Sequence, residues 1–349
     1  MMNIKDYGFE GYFEALAAEY PALTPARVIV QEKELYKIVS NDGEQLAAVS
    51  GKFRYNAEVV SEYPVVGDFV MVDRTGDKEC AVIHTVLPRK SVFTRRAAGT
   101  SNREQVVAAN IDTVFICMSL NNDFNIRRLE RYLSVAWDSD ATPVVIFTKA
   151  DLCEDIAEKI ADAESVALGV DIVVTSSIFE NGIDDIMPYL KAGKTASFIG
   201  SSGVGKSTLI NRLIGSDMIA TKGLRNDDKG RHTTTHRELI LLENGALVVD
   251  TPGMRELGMW GAEGGIDATF ADIEELAQNC KFKNCSHSTE PGCAVRMAIE
   301  NGELSEGRYR SFIKLTAENA YIEDSESYLA AKEKKFKEIA KYNKAHKKG

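Results

Sequence analysis

Eight consecutive residues, Gly200-Ser201-Ser202-Gly203-Val204-Gly205-Lys206-Ser207, have the G-x-x-x-x-G-K-S spacing of a phosphate-binding loop. Its glycines let backbone N–H groups converge on phosphate oxygens, and a helix starting at its end adds a positive dipole. Lys206 is placed to reach β and γ phosphates. Ser207, followed by Thr208, is placed to ligate Mg²⁺. The loop needs a strand before it and a helix after it, and the flanking segments TASFI and KSTLINRLIG have those characters.

Three further groups have chemistry that fits a nucleotide. Asp250-Thr251-Pro252-Gly253 follows the apolar run ALVV. An Asp at such a strand end can hold Mg²⁺ through water, and Gly253 can offer its N–H to a γ phosphate. Thr148-Lys149-Ala150-Asp151 closes another apolar strand. A carboxylate there accepts from N1–H and the exocyclic amine of guanine, whereas adenine would leave it unpaired. The alternative reading is that Asp151 caps the helix that follows. Ser176, within Thr175-Ser176-Ser177, could direct a backbone N–H at the guanine oxygen, or be an ordinary loop residue.

A fourth group is Cys280-x4-Cys285-x-His287-x5-Cys293. Three thiols and an imidazole make a closed tetrahedral set suited to structural zinc, with no position left for a catalytic water. Cys80, Cys117 and Cys153 stand singly and read as small core residues.

These residues must be positioned by several kinds of element. Between Arg27 and Leu87, five short alternating runs (ARVIVQE, ELYKIVS, EQLAAVS, DFVMVDR, CAVIHTV) predict a small β-barrel of the OB or SH3-like kind. From about residue 106 the pattern becomes strand, helix, strand, helix. IDTVFICMSL, TPVVIFT, VDIVVTSS, TASFIG and ALVVD are strands; NIRRLERYLSVAW, EDIAEKIADAESVALG, GIDDIMPYLKA and GKSTLINRLIG are helices. Continuous apolar strands in such units predict a parallel sheet covered on both faces. From about Gly261 the strands stop, and short helices surround the Cys/His group, with too little apolar material for a large separate core.

The 349 residues suggest two or three domains. No run of about 18 apolar residues exists, and the N-terminus has no secretory apolar segment, so no membrane association and a cytoplasmic location are expected. The net charge is -10, which argues against nucleic acid as a partner of the whole surface. Two segments run the other way. Residues 89–103 carry Arg89, Lys90, Arg95, Arg96 and Arg103 with no acid, and the last eighteen residues carry eight Lys against Glu333 and Glu338. The tail reads equally as a phosphate-binding arm or a solvated helix.

The nucleotide motifs resemble those of Ras-like GTPases, but in a different order. Asp151 and Ser176 precede the phosphate loop, and Asp250 and Gly253 follow it, so the chain looks circularly permuted. Taken with the barrel, the segment Gly230-Arg231-His232-Thr233-Thr234-Thr235 and the Cys/His group, the whole chain resembles the small ribosomal subunit biogenesis GTPases known as RsgA or YjeQ. The resemblance implies a multidomain chain: an N-terminal segment and OB-fold barrel (1–88), a basic linker (89–105), a permuted α/β P-loop GTPase (106–260) and a helical zinc-binding domain with a basic tail (261–349). It implies GTP hydrolysis to GDP, stimulated by the small subunit and acting late in its maturation, with Mg²⁺ beside the nucleotide and rRNA as a contact. A monomer is the default expectation. Thr234 is the favoured Mg²⁺ ligand among the three threonines. Met254 stands where Ras-like enzymes carry a water-orienting Gln, so intrinsic hydrolysis is expected to be slow. His232 is the candidate for positioning water, against the reading that it is an incidental loop residue. A GTP-dependent protein switch without RNA, an RNA-binding scaffold and an adenine-specific P-loop enzyme are the alternatives.

Overall fold

The computed structural model describes residues 3–32, 34–73, 80–96, 104–121, 123–176, 182–215, 237–250 and 263–322. Strands β1 (Thr24–Glu32), β2 (Leu35–Ser40), β3 (Gly43–Val49), β4 (Phe69–Asp73) and β5 (Cys80–Val86) close on themselves in the order β1-β2-β3-β5-β4-β1. Only β3 and β5 run parallel within this barrel. This is the OB arrangement. Alternation supplies its interior: Ala26, Val28, Ile38, Ala47, Val70, Val72 and Ile83 pack inward. The opposite side chains of β4, Phe69 and Met71, are covered by Ile4, Phe9 and Phe13 of the N-terminal segment, which holds helix α1 (Tyr12–Ala17). Helix α2 (Gly51–Asn56) follows β3 and starts at Ser50, whose hydroxyl accepts from Phe53 N–H.

The basic segment is partly strand. β6 (Val92–Arg96) and β7 (Glu104–Ala109) pair antiparallel, and two of its cations are internally engaged. Arg89 grips buried Asp68 with two 2.8 Å bonds, and Lys90 lies over the rings of Tyr12 and Phe13. Burial pushes the Asp68 carboxyl up, and the Arg89 charge opposes that rise.

The second sheet region contains β8 (Thr113–Ser119), β9 (Thr142–Thr148), β10 (Asp171–Val174), β11 (Thr195–Ile199), β12 (Arg237–Leu241) and β13 (Leu247–Asp250), in the order β10-β9-β8-β11-β13-β12. All neighbours are parallel except β12 with β13. Successive residues of β8 and β9 feed opposite faces. Val114, Ile116, Met118, Val145 and Phe147 meet α3 (Ile126–Asp138), while Phe115, Cys117, Val144 and Ile146 join Leu209 and Ile210 of α5 (Lys206–Ile214). That two-sided burial explains why these strands read as unbroken apolar runs. Helix α4 (Ile156–Glu164) joins the α3-side cluster through buried Ala163, with Ile156 and Ile160 packed against it.

Barrel and parallel sheet are continuous. β12 pairs with β1 at Val30–Glu238 and Gln31–Arg237, giving one sheet of eleven strands. At the junction Arg27 is buried. It donates to the carbonyls of Tyr7 (2.6 Å), Gly67 (3.1 Å) and Asn110 (3.2 Å) and to Thr195 Oγ1 (2.8 Å). Segment 182–192 departs from the expected helix. Only Asp184–Tyr189 is helical, as a 3₁₀ turn, because Pro188 lacks the N–H that an α-helix would use.

Helices α6 (Glu263–Thr269), α7 (Ala271–Gln278) and α8 (Ala294–Glu300), and α9 at 306–322, form the C-terminal region. They do not build a separate core. Ile266, Phe270, Ile273, Val295 and Leu315 belong to the same cluster as Leu129 and Leu133 of α3.

Candidate functional site

The phosphate loop spans the gap between β11 and α5, and its backbone explains its glycines. Gly200 has φ +139°, and a Cβ there would lie 2.2 Å from the Cys117 carbonyl oxygen of β8. Gly205, at φ +104°, precedes the first turn of α5 in the left-handed region. Val204 turns inward, buried against the α5 side of the sheet. Lys206 is buried too, and its ammonium folds back to donate to the carbonyls of Gly200 and Ser201, both at 2.5 Å. Ser207 and Thr208 occupy the same first turn. Ser202 and Gly203 form the exposed crest of the loop.

The base-reading candidates are strapped to that loop. Thr148 ends β9, and its hydroxyl donates to the Val204 carbonyl at 2.5 Å. Lys149, in the left-handed region at φ +57°, sends its ammonium to the Gly203 carbonyl at 2.8 Å. The turn Ala150–Leu152 then presents Asp151, whose Oδ1 accepts from the Ser176 hydroxyl just beyond β10. Asp151 does not cap α4; Asp155 holds that position. Residues 148–151, 175–176 and 200–207 thus converge at the carboxyl ends of three parallel strands, where open α/β sheets bind ligands. Asp250 ends β13, the strand parallel to β11, so its backbone reaches the same edge. His232, Thr234 and Gly253 lie outside the described residues, as does the Asp250 side chain.

Sequence spacing did not reveal Arg128. From the first turn of α3 it donates to Ser201 Oγ at 2.8 Å, across 73 residues of chain. Asn125, whose side chain caps Arg128 N–H at 3.0 Å, was the one local sign that a fixed helix start lies here.

A separate site lies in the C-terminal region. The ligand atoms of Cys280, Cys285, His287 and Cys293 all lie within 4.8 Å of one another. Cys280 Sγ is 3.9 Å from Cys293 Sγ and 3.5 Å from His287 Nδ1, and Cys293 Sγ is 3.4 Å from that nitrogen. A tetrahedral ion with metal–sulfur bonds of about 2.3 Å has sulfur–sulfur edges of about 3.8 Å, so this set fits one. Cys280 follows α7, Cys293 is the N-cap of α8, and His287 takes the left-handed conformation (φ +58°) that turns its ring inward. Burial pushes the Cys280 thiol up, but the N–H groups of Ala294 and Val295 bring it below its ordinary value. Burial raises Cys285 to about 11. The intervening loop is braced by Glu290, held at about 2 by the Ser286 hydroxyl and backbone N–H groups.

A cleft of about 1090 Å³ lies elsewhere. It lies between α2, β5 and β6, lined by Lys52, Phe53, His84 and Arg89.

The family profile described as RsgA GTPase matches residues 86–260. The chain is 48% identical over 323 residues to a protein of Lactiplantibacillus plantarum named Small ribosomal subunit biogenesis GTPase RsgA 2, covering 92% of this chain and 90% of that one. It is 45% identical to a protein of the same name from Listeria monocytogenes, again covering 92% and 90%. Among solved structures it is similar to YjeQ from Thermotoga maritima, with TM-score 0.64, 28% identity, and coverage of 85% of this chain and 98% of that one. It is also similar to YloQ, described as a circularly permuted GTPase, with TM-score 0.62, 28% identity, and coverage of 88% and 97%.

Proposed function

The chain belongs to the RsgA GTPase family, and from that premise we propose that it hydrolyses GTP to GDP and phosphate during late maturation of the small ribosomal subunit. The observation that carries this reading is the strapping of Thr148 and Lys149 to Val204 and Gly203, which joins a guanine-reading turn to a phosphate loop.

In this reading Lys206 exchanges the Gly200 and Ser201 carbonyls for β and γ phosphate oxygens. The loop N–H groups from Ser201 to Thr208 cradle those phosphates. Asp151 releases the Ser176 hydroxyl or shares it, and accepts from guanine; the Ser176 backbone N–H faces the guanine oxygen. Ser207 and Thr234 would hold Mg²⁺ directly and Asp250 through water. When bound there, Mg²⁺ would supply positive charge against the charge that develops on the phosphates. Gly253 offers its N–H to the γ phosphate. His232 orients water, because Met254 has no group that can do so. If His232→Ala left subunit-stimulated turnover intact, that role would be wrong.

Cys280, Cys285, His287 and Cys293 would hold one structural zinc, their four donors leaving no open coordination position. The units assigned are 1–88, 89–105, 106–260 and 261–349, working as a cytoplasmic monomer. The barrel and the Cys/His region flank the nucleotide site and contact rRNA, the cationic contribution of the linker falling to Arg95, Arg96 and Arg103 because Arg89 is ion-paired with Asp68 and Lys90 lies over two rings, whereas Arg95 donates to the neutral Gln105 side chain. No helix among the described residues is long and apolar enough to cross a membrane.

The test is steady-state GTP hydrolysis by the full chain, alone and with purified small or large subunits. Strong stimulation by small subunits only supports the whole reading. Turnover indifferent to ribosomes keeps the GTPase and removes the subunit. The net charge of -10 then favours a GTP-dependent protein switch, which would bind without the steep salt dependence of RNA contacts.

A further inference from the structure

We propose that Arg128 is a positioning residue for the phosphate loop, holding its first turn in the shape that nucleotide requires. The inference rests on the GTPase reading.

The loop has two braces on Ser201. One is Lys206, whose ammonium now bonds the carbonyls of Gly200 and Ser201 at 2.5 Å. That brace and phosphate binding compete for the same ammonium donors. The other is Arg128, which bonds the Ser201 hydroxyl at 2.8 Å and leaves the loop's N–H groups and Lys206 out of the contact. When phosphate oxygens take the ammonium, the Arg128 brace can therefore stay.

Arg128 is itself held on two sides. Its second terminal nitrogen donates to the Asp123 carbonyl and lies 2.9 Å from Asp123 Oδ1. One planar guanidinium thus spans the β8–α3 loop and the phosphate loop, a geometry that a lysine point charge cannot reproduce. The helix beneath it is anchored. Asn125 caps its first turn. Farther along, Glu130 meets Arg308 at 3.1 Å and Arg131 meets Glu318 at 2.7 Å, both partners lying in α9. A fixed helix start holding a fork against Ser201 sets where the first turn of the loop sits relative to β8.

The test is equilibrium binding of fluorescently labelled GDP and ADP to the full-length wild type, Arg128→Ala, Arg128→Lys, Ser201→Ala and the Arg128→Ala/Ser201→Ala double variant. Subunit-stimulated kcat and KM for GTP are measured alongside. A lost hydrogen bond to a charged group predicts that each alanine variant binds GDP about ten-fold more weakly. The double variant is expected to be no weaker than Arg128→Ala, since both changes remove one contact. KM for GTP should rise with the affinity loss while kcat stays within about three-fold, and Arg128→Lys should recover little. Ser201→Ala leaves the backbone and α3 intact, so it reports even where Arg128→Ala folds poorly. Single variants within two-fold of wild type, or losses that multiply in the double variant, overturn the proposal. A wild type that prefers ADP would overturn the guanine reading instead, and the same coupling would then be read on ADP.

Discussion

Arg308 and Glu130 meet at 3.1 Å although 178 residues separate them. Glu130 is fully buried in α3 and Arg308 is almost so. The guanidinium also forks onto Asp272 at 2.7 and 2.8 Å, donates to the Thr269 carbonyl and lies over the Phe270 ring. The metal-site region is thereby fastened to the helix that carries Arg128. The permuted order places this region directly after β13, and the ion pair brings it back to an element that precedes the phosphate loop.

Arg308→Ala should therefore destabilise the protein strongly. It leaves Glu130 buried with Arg127 as its remaining ion-pair partner among the described residues, and breaking a buried pair costs about 3–5 kcal/mol. Urea unfolding should show the loss at unchanged nucleotide chemistry. A change below about 1 kcal/mol would mean that the α3 contact is held by apolar packing instead.

The same interface makes Gly265→Ala informative. A Cβ on Gly265 would lie 1.9 Å from the Ser134 carbonyl oxygen and 2.8 Å from Asp138 N. Backbone cannot yield as a side-chain tip can, so α6 must move off α3, at a cost of about 1–3 kcal/mol or more. Faster proteolysis of the C-terminal region, with the barrel still protected, is the expected readout. A variant as resistant as wild type would place the flexibility of this crossing higher than its geometry suggests.

Asp138, at the end of α3, should give stability a pH dependence opposite to that of ordinary surface acids. Burial raises its carboxyl to about 6 from 3.8, against the opposing effect of the Gly265 N–H. The folded state then binds more protons than the unfolded state between those values. Its stabilising contribution is full below about pH 4 and is lost as pH rises through about 6. The group is only partly covered, so solvent screening limits the effect to about 1 kcal/mol. Asp138→Asn should stabilise the protein at pH 7 and confer nothing at pH 4. Equal effects at both pH values in thermal unfolding would exclude the carboxylate as the cause.

How much of this was readable from residue order depends on distance along the chain. The five barrel strands follow from alternation, and β8 and β9 from unbroken apolar runs, because each strand carries its own burial pattern. The phosphate loop and the four metal ligands are compact motifs whose spacing already fixes their geometry. β12 and β6 were not readable. RELIL and VFTRR are short and charged, and become strands through their pairing with β13 and β7. The 3₁₀ turn at Asp184–Tyr189 was hidden by a helical apolar pattern that Pro188 overrides. Arg128–Ser201 and Glu130–Arg308 depend on tertiary approach, for which single arginines give no local signal.

Asp151→Asn should change which base is accepted. The carboxylate accepts from two guanine donors, whereas an amide offers one acceptor and one donor, a pattern that suits xanthine. Guanine nucleotide affinity is expected to fall by about 10² or more, with xanthine nucleotides gaining. Competition binding with GDP and XDP measures both. Unchanged GDP preference would remove Asp151 from the base-reading role, however close it lies to Ser176.

Removing the metal should loosen the C-terminal region before the sheet. Cys293 is the N-cap of α8 and Cys280 accepts the Ala294 N–H, so the ligand set also begins a helix. Tyr309 of α9 donates to the His287 carbonyl at 3.2 Å, which ties that loop to the helix carrying Arg308. A bound ion would hold these three points together, and structural zinc contributes roughly 10 kcal/mol or more to small modules. Here part of the region's stability comes from the cluster shared with α3, so apo protein should keep its sheet and lose order mainly around 280–300. Metal analysis should find one zinc per chain. Hydrogen exchange after chelation should rise in α8 and the ligand loop while β8, β9 and β11 stay protected. Exchange rising equally throughout the sheet would mean that the metal supports the global fold, and that the α3 interface cannot hold the C-terminal helices alone.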